Sequence, residues 1–193
     1  MAKQSTLANW SQQLKERVQG TMIPTLETDR LRLRPPTKAD LHDNYELSSD
    51  PEVMRYITPG RTQSIKESRE DLYKRIKFSR GSYGYWVVEE KQSGCFIGWI
   101  VLKELDHTKD FELGFRFQKN QWGRGFATEA GKKILVYAFE VLQLDLVKAV
   151  VMPKNDASRK VLEKIGFQLI SFGRYYNAHC AVYQIGRSDL NEN

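Results

Sequence analysis

The sequence predicts a mixed α/β domain, with a central, mostly antiparallel sheet and helices on both faces. Three stretches carry that expectation. In 111–117, Phe111, Leu113, Phe115 and Phe117 alternate with Glu112, Gly114 and Arg116, the period of a strand. Downstream, Ala127, Ala130, Ile134, Leu135, Ala138, Val141 and Leu142 recur at helical spacing. Upstream, 83–90 and 95–102 flank Gln92-Ser93-Gly94 as the two strands of a hairpin.

The remaining elements follow in chain order. Residues 1–22 read as an N-terminal extension ahead of a single domain over 23–193. Leu7, Trp10, Leu14 and Val18 form one stripe of a short helix there, with Gly20 just past its end. Leu31 and Leu33 alternate with Arg30, Arg32 and Arg34 in a first strand that Pro35-Pro36 ends. Thr37 opens a helix to about Ser48, with Ala39, Leu41, Tyr45 and Leu47 on its apolar side. Asp50-Pro51 starts a short helix over 52–56, and Thr62 or Ser64 opens a longer one to about Ser79. Gly98, inside the second hairpin strand, marks a bulge or close packing. The apolar run 146–152 predicts a strand buried on both faces, which Pro153 ends. Asn155 caps a helix whose Ala157, Val161, Leu162 and Ile165 face inward, and Gly166 closes it. Two last strands, 167–172 and 181–185, pair with each other.

Composition narrows the function. The 193 residues suit one domain, and 40% hydrophobic with 28% charged residues suits a soluble globule. No run is long enough for a membrane span, and the N-terminus has no apolar signal core. The expected compartment is therefore the cytoplasm, with Cys95 and Cys180 reduced and buried. His42, His107 and His179 are scattered without metal-ligand spacing, so no metal is expected. The net charge of +6 is spread along the chain without a dense basic cluster, which gives no support to nucleic-acid binding.

The chemistry concentrates at Trp122-Gly123-Arg124-Gly125-Phe126-Ala127, between a strand and a helix. The first turn of a helix has N–H groups without intrahelical partners and the positive end of the dipole. Gly123 and Gly125 let a backbone approach an anion closely, and Arg124 adds a forked charge. A P-loop is excluded by the missing Gly-Lys-Ser/Thr, and Thr128 stands where a dinucleotide fingerprint has its third glycine.

Glu112-Leu-Gly, Trp122-Gly-Arg-Gly-Phe-Ala-Thr-Glu-Ala130, Asn155-Asp-Ala-Ser158 and Gly166-Phe167 occur in one order and spacing. Together they resemble the GNAT superfamily of N-acetyltransferases, and within it the RimJ/RimL-like branch of ribosomal-protein alanine acetyltransferases. The resemblance spans residues 26–187, with one departure: Trp122 stands where the superfamily commonly has Arg or Gln. It implies the GNAT fold, in which the strands at 111 and 146 splay apart and hold the pantetheine arm of acetyl-CoA. The loop from Trp122 through Gly123, Arg124, Gly125, Phe126, Ala127 and Thr128 would then grip the pyrophosphate. Backbone groups of Phe115, Arg116 and Phe117 would meet the arm and the thioester carbonyl. Asn155 would bond the arm as well as cap its helix, and the helices between the first two strands would wall the acceptor.

The resemblance also implies catalytic roles. Glu112 would take the amine proton, directly or through water. The family's thiolate-protonating Tyr is replaced by Leu162, which leaves Ser158, another Tyr or water as the acid. The expected activity moves an acetyl group from acetyl-CoA to a primary amine by direct transfer in a ternary complex. A protein N-terminal α-amine is the first choice of acceptor. A polyamine, an aminoglycoside or another small amine is the alternative, as is a non-catalytic acyl-CoA-binding module. The expected assembly is a monomer or a homodimer.

Overall fold

The computed structural model describes residues 22–57 and 60–192. Apart from Met22, the N-terminal extension expected over 1–22 lies outside the described residues. Among the described residues eight strands form one sheet: β1 (Leu26–Glu27), β2 (Leu31–Arg34), β3 (Gly84–Glu90), β4 (Phe96–Glu104), β5 (Phe111–Phe117), β6 (Leu146–Val151), β7 (Gln168–Tyr175) and β8 (Ala178–Gly186). Their order is β1-β2-β3-β4-β5-β6-β8-β7, and β5–β6 is the parallel pair.

Helices cover both faces. α1 (Leu41–Ser49), α2 (Pro51–Met54) and α3 (Ile65–Phe78) lie on one side. There Leu47, Val53 and Leu72 pack with Val87, Phe96 and Trp99 of β3 and β4. α4 (Phe126–Val136) and α5 (Asp156–Lys164) lie with the larger core on the other side, which takes Trp86, Ile97, Ile100 and Leu102 of the same two strands. Asp50 accepts from the amides of Glu52 and Val53 to cap α2. Ser64 and Glu67 close a reciprocal capping box on α3. Asn44 of α1 donates to the carbonyl and hydroxyl of Ser68 on α3, at 2.9 and 2.8 Å, and so ties the two helices through a buried polar contact.

Gly98 plays both parts expected of it. The register of β3 against β4 slips between Val88 and Glu89, opposite Gly98 and Phe96. A Cβ on Gly98 would stand 2.2 Å from the Arg116 carbonyl oxygen, so β5 can approach only a glycine.

Several local expectations are corrected. β6 alternates, with Val147, Ala149 and Val151 buried and Leu146, Lys148 and Val150 half-buried, because only one face is fully covered. Cys95 is exposed and Cys180 buried. Ala157 is exposed, and α5 rests on Leu162 and Ile165. The long helix does not stay α-helical: a π-helical turn, Tyr137–Val141, finishes it. The helix expected from Thr37 begins as a 3-10 turn, Lys38–Asp40.

Candidate active site

The site is built on the place where the sheet fails to close. β4 and β5 pair continuously from Gly98↔Phe117 to Glu104↔Phe111, and β6 and β8 from Leu146↔Gly186 to Val151↔Ala181. Between these halves β5 and β6 share one rung, Glu112↔Lys148. Both strands run the same way, so beyond that rung they part toward their C-terminal ends. β5 leads to the start of α4 and β6 to the start of α5, and two helix N-termini therefore stand at the open end of the gap.

Hydrogen-bond alternation says which backbone groups face the gap. The Gln118 amide donates to the Ile97 carbonyl at 2.9 Å, continuing the β4–β5 ladder. Bonded pairs alternate along an antiparallel ladder. The polar groups of residues 112, 114 and 116 are thus turned to β4, and those of 113, 115 and 117 to the β6 side. The Phe115 and Phe117 amides point into the gap. Arg116 differs from the expectation that its backbone joins them: its carbonyl abuts Gly98 on β4, and its side chain points to α1–α3. The Phe117 carbonyl is taken by the Trp122 indole N–H at 2.9 Å. That contact gives Trp122, 47% exposed, a role in holding the loop.

The loop itself is left-handed at both glycines, with φ 75° at Gly123 and 81° at Gly125, a conformation that favours glycine. The first α4 ladder bond runs from the Glu129 amide to the Gly125 carbonyl at 3.0 Å, which leaves the amides of Phe126, Ala127 and Thr128 outside the ladder. A Cβ at Gly123 would meet nothing within 4 Å, so this side of the loop is open. These features fit a polyphosphate.

Neighbouring charges brace the loop, and nothing local in the sequence announces them. The Arg30 side chain donates to the Arg124 carbonyl at 3.0 Å and to Glu129 at 2.7 Å. The Arg124 guanidinium donates to Glu90 at 2.6 Å and to Gln121 at 2.5 Å. The guanidinium carbons of Arg30 and Arg124 lie 4.7 and 4.5 Å from the Phe126 ring centroid. At the start of α5, Asn155 accepts from the Ser158 amide at 3.2 Å. Among the described residues, the Asn155 amide NH₂ and the Ser158 hydroxyl make no further hydrogen bond. Leu162, one turn on, is buried.

Glu112 stands at the closed end of the gap, on the α1–α3 face. It is buried, and its Oε1 accepts from the Tyr176 hydroxyl at 2.5 Å and from Lys103 Nζ at 2.6 Å. Its Oε2 has no hydrogen-bond partner among the described residues. Lys103 lies directly across the ladder from Glu112. Tyr176 arrives on the β7–β8 turn, where it and Asn177 have φ of 50° and 61°. Its amide donates to Asp106 at 2.8 Å, and its hydroxyl accepts from Lys103 at 2.6 Å. Burial, then the hydrogen bond to Glu112, push the Tyr176 hydroxyl up to about 12. Burial works against the Lys103 charge, but Glu112 and Tyr176 together outweigh it and hold the ammonium above its ordinary pKa. The structure thus gathers the loop, the Phe115 and Phe117 amides, Asn155 and Ser158 at the open end, and sets Glu112 apart at the closed end.

A sheet parted at one seam, beside a helix start that favours an anion, can hold an extended arm that ends in a polyphosphate. The chain belongs to the GNAT acetyltransferase family, whose model, described as an acetyltransferase (GNAT) domain, matches residues 30–168. It is similar to the uncharacterized protein YkkB of Bacillus subtilis, 34% identical over 166 residues that cover 82% of this chain and 94% of that one. It is also similar to the FsC-acetyl coenzyme A-N(2)-transacetylase of Aspergillus fumigatus, 34% identical, covering 79% of this chain and 69% of that one. Among solved structures, spermidine N-acetyltransferase from Vibrio cholerae in complex with CoA and spermine superimposes with a TM-score of 0.70 at 22% identity. That match covers 86% of this chain and all of the other (100%), and it speaks for the fold. The protein is an acetyl-CoA-dependent N-acetyltransferase. Among the described residues no helix is long and apolar enough to cross a membrane.

Proposed function

We propose that the acceptor is a protein N-terminal α-amine, as in the RimJ/RimL-like branch that the Trp122–Ala130 motif resembles, and that Glu112 takes its proton. The observation that carries this reading is the position of Glu112 at the rung where β5 and β6 part, with Oε2 unpartnered. Acetyl-CoA supplies the activated acetyl thioester. The Gly123–Thr128 loop holds the pyrophosphate, and Asn155 and the Phe115 and Phe117 amides hold the arm. The neutral amine attacks the thioester carbonyl directly; a C–N bond forms, the C–S bond breaks, and the proton that the nitrogen sheds on becoming an amide ends on the leaving thiolate, relayed by the Ser158 hydroxyl or by water.

Proton chemistry favours the α-amine. Its pKa is near ~8 against ~10.4 for a lysine side chain, so neutralising them at pH 7 costs about 1.4 and about 4.6 kcal/mol. One strand carboxylate working through water is adequate for the first cost and strained for the second. Glu112→Gln keeps the shape and removes the base. Turnover of N-terminal peptides at pH 7 is expected to fall by roughly 10²-fold, with acetyl-CoA affinity retained and the loss shrinking at high pH. Wild-type turnover in Glu112→Gln would remove the residue from the mechanism. A strong preference for polyamines or lysine side chains over peptide N-termini would remove the acceptor.

A further inference from the structure

The described chain begins beside a row of aromatic rings whose outer end is open. The Ile23 amide donates to the Ser79 carbonyl at 3.2 Å, and Ile23 is buried in the larger core, so the chain enters the fold at the C-terminal end of α3. The residue before Ser79, Phe78, is 43% exposed. Its ring stands edge-on to Tyr85 at 5.8 Å and to Tyr83 at 6.1 Å, and Tyr83 stands edge-on to Phe111 at 4.9 Å. Tyr83 and Phe111 are half-buried against the larger core and Tyr85 against the smaller, whereas Phe78 belongs to neither. The row crosses the end of the sheet at which β3 begins, β4 ends and β5 begins. A single exposed ring is ordinary; a row of rings continuous with both cores is a surface suited to a partner.

Residues 1–21 lie outside the described residues, and their sequence carries a matching stripe. Trp10, Leu14 and Val18 are spaced by four, with Leu7 on the same side. Along a helix such residues follow one another at about 6 Å, from ~1.5 Å per residue, close to the steps between the rings. A helix of this length is marginal alone in water and gains its stability from a surface. The tether decides which surface. Residues 19–21 alone separate Val18 from Met22, so Val18 lies within roughly 14 Å of Met22, at up to ~3.6 Å per residue. That confines it to the neighbourhood of Ser79 and Phe78. So short a tether presents the stripe to its own chain at an effective concentration on the order of millimolar. Lys77 and Arg80, beside Phe78, are exposed and oppose a basic partner. Helical spacing sets Lys15 and Arg17 on the flanks of the stripe and not within it, so these charges all keep to water.

We propose that residues 7–18 of the chain's own N-terminal extension fold back as a helix and dock on the Phe78–Tyr83–Phe111 row, with Val18 at Phe78 and Leu14 and Trp10 farther along it. Phe111 immediately precedes Glu112, so the docked helix covers the end of the sheet at which β5 and β6 still pair. The proposal is independent of the acceptor.

The test uses the full chain with the exposed Cys95 changed to Ser, which leaves the buried Cys180 as a slow background. Leu14→Cys places a thiol on the stripe, and Gln12→Cys places one on the opposite side of the same helix. Without denaturant the Cys at position 14 is expected to react with an aromatic disulfide reagent at least about tenfold more slowly than the Cys at position 12, because it reacts only when the helix lifts. Phe78→Ser, at an exposed position, is expected to bring the two rates together; Tyr83→Ser serves if that variant does not fold. Equal rates in the parent chain overturn the docking. Protection that survives the loss of the ring overturns this surface as the docking site. The rates are read at about 1 µM and about 50 µM protein, since a contact between copies strengthens with concentration and a contact within one chain does not. Protection that grows with concentration means that the segment docks on another copy, and overturns the proposal.

Discussion

The hydroxyl of Tyr176, on the last hairpin turn, donates to Glu112 Oε1 at 2.5 Å across a sequence separation of 64 residues. The bond falls on the oxygen that Lys103 also uses, and Oε2 has no hydrogen-bond partner among the described residues. Tyr176 is thus a positioning residue for the candidate base. Tyr176→Phe is expected to lower kcat for the amine by about tenfold, in line with the loss of a hydrogen bond to a charged group, with KM for acetyl-CoA unchanged. A parallel rise in KM for acetyl-CoA would show that the turn serves the donor instead.

The backbone at Gly125 has φ 81°, a conformation that side chains rarely adopt. Its Cβ would lie 3.4 Å from Arg30 Nη2, in a left-handed backbone. Gly125→Glu is expected to abolish acetyl-CoA binding by calorimetry, and Gly125→Asn, which tolerates that conformation, to retain it in part. Arg124 is already engaged by Glu90, so Arg124→Ala is expected to weaken binding by less than about 1 kcal/mol, the scale of an exposed pair.

Gly98 bears on stability rather than on chemistry. Gly98→Ala would drive a methyl group into the Arg116 carbonyl, a backbone atom that cannot turn aside. The expected loss is about 2–3 kcal/mol, the range for overpacking, read from urea midpoints at constant slope.

The α3 capping box gives a pH signature. Hydrogen bonds from Arg61, then from the Ser64 amide and hydroxyl, hold Glu67 down at about 2 against an ordinary 4.5. A carboxyl with a depressed folded-state pKa stabilises the fold above its unfolded pKa and loses that contribution as pH falls through the folded one. The difference in urea midpoint between wild type and Glu67→Gln should hold from pH 7 to 5 and shrink steadily as the pH falls from about 4.5 toward 2. A difference that does not shrink over that range would show that the carboxylate charge is not its source.

Much of this was legible because the signals are local. Gly123 and Gly125 announce a left-handed loop, Asn155 and Ser64 announce helix starts, and Phe111 to Phe117 announce a strand by alternation alone. The partners of Glu112 were not legible. Lys103 and Tyr176 meet it only through strand pairing and a distant hairpin, and a Tyr-Asn turn carries no mark of what its ring will reach. Arg116 misled for a related reason. Its backbone was expected to meet the arm, but strand pairing turns it to Gly98 on β4, and the packing of α1–α3 buries its side chain. Arg30 looked like an ordinary strand charge until β2 came to lie beside the start of α4.

The single rung between β5 and β6 bears on how the molecule holds together. Elsewhere adjoining strands share ladders; here Glu112↔Lys148 joins two blocks of sheet, and among the described residues no further backbone pair closes the seam between β5 and β6. A ligand lying in that seam would act as a missing strand, bonded to both blocks at once. Because such a seam exists only in the folded chain, its occupant would raise the unfolding free energy by mass action, about 2.7 kcal/mol at a hundredfold excess over its dissociation constant. Catalytic competence and cohesion of the sheet would then rise and fall together with the supply of acetyl donor.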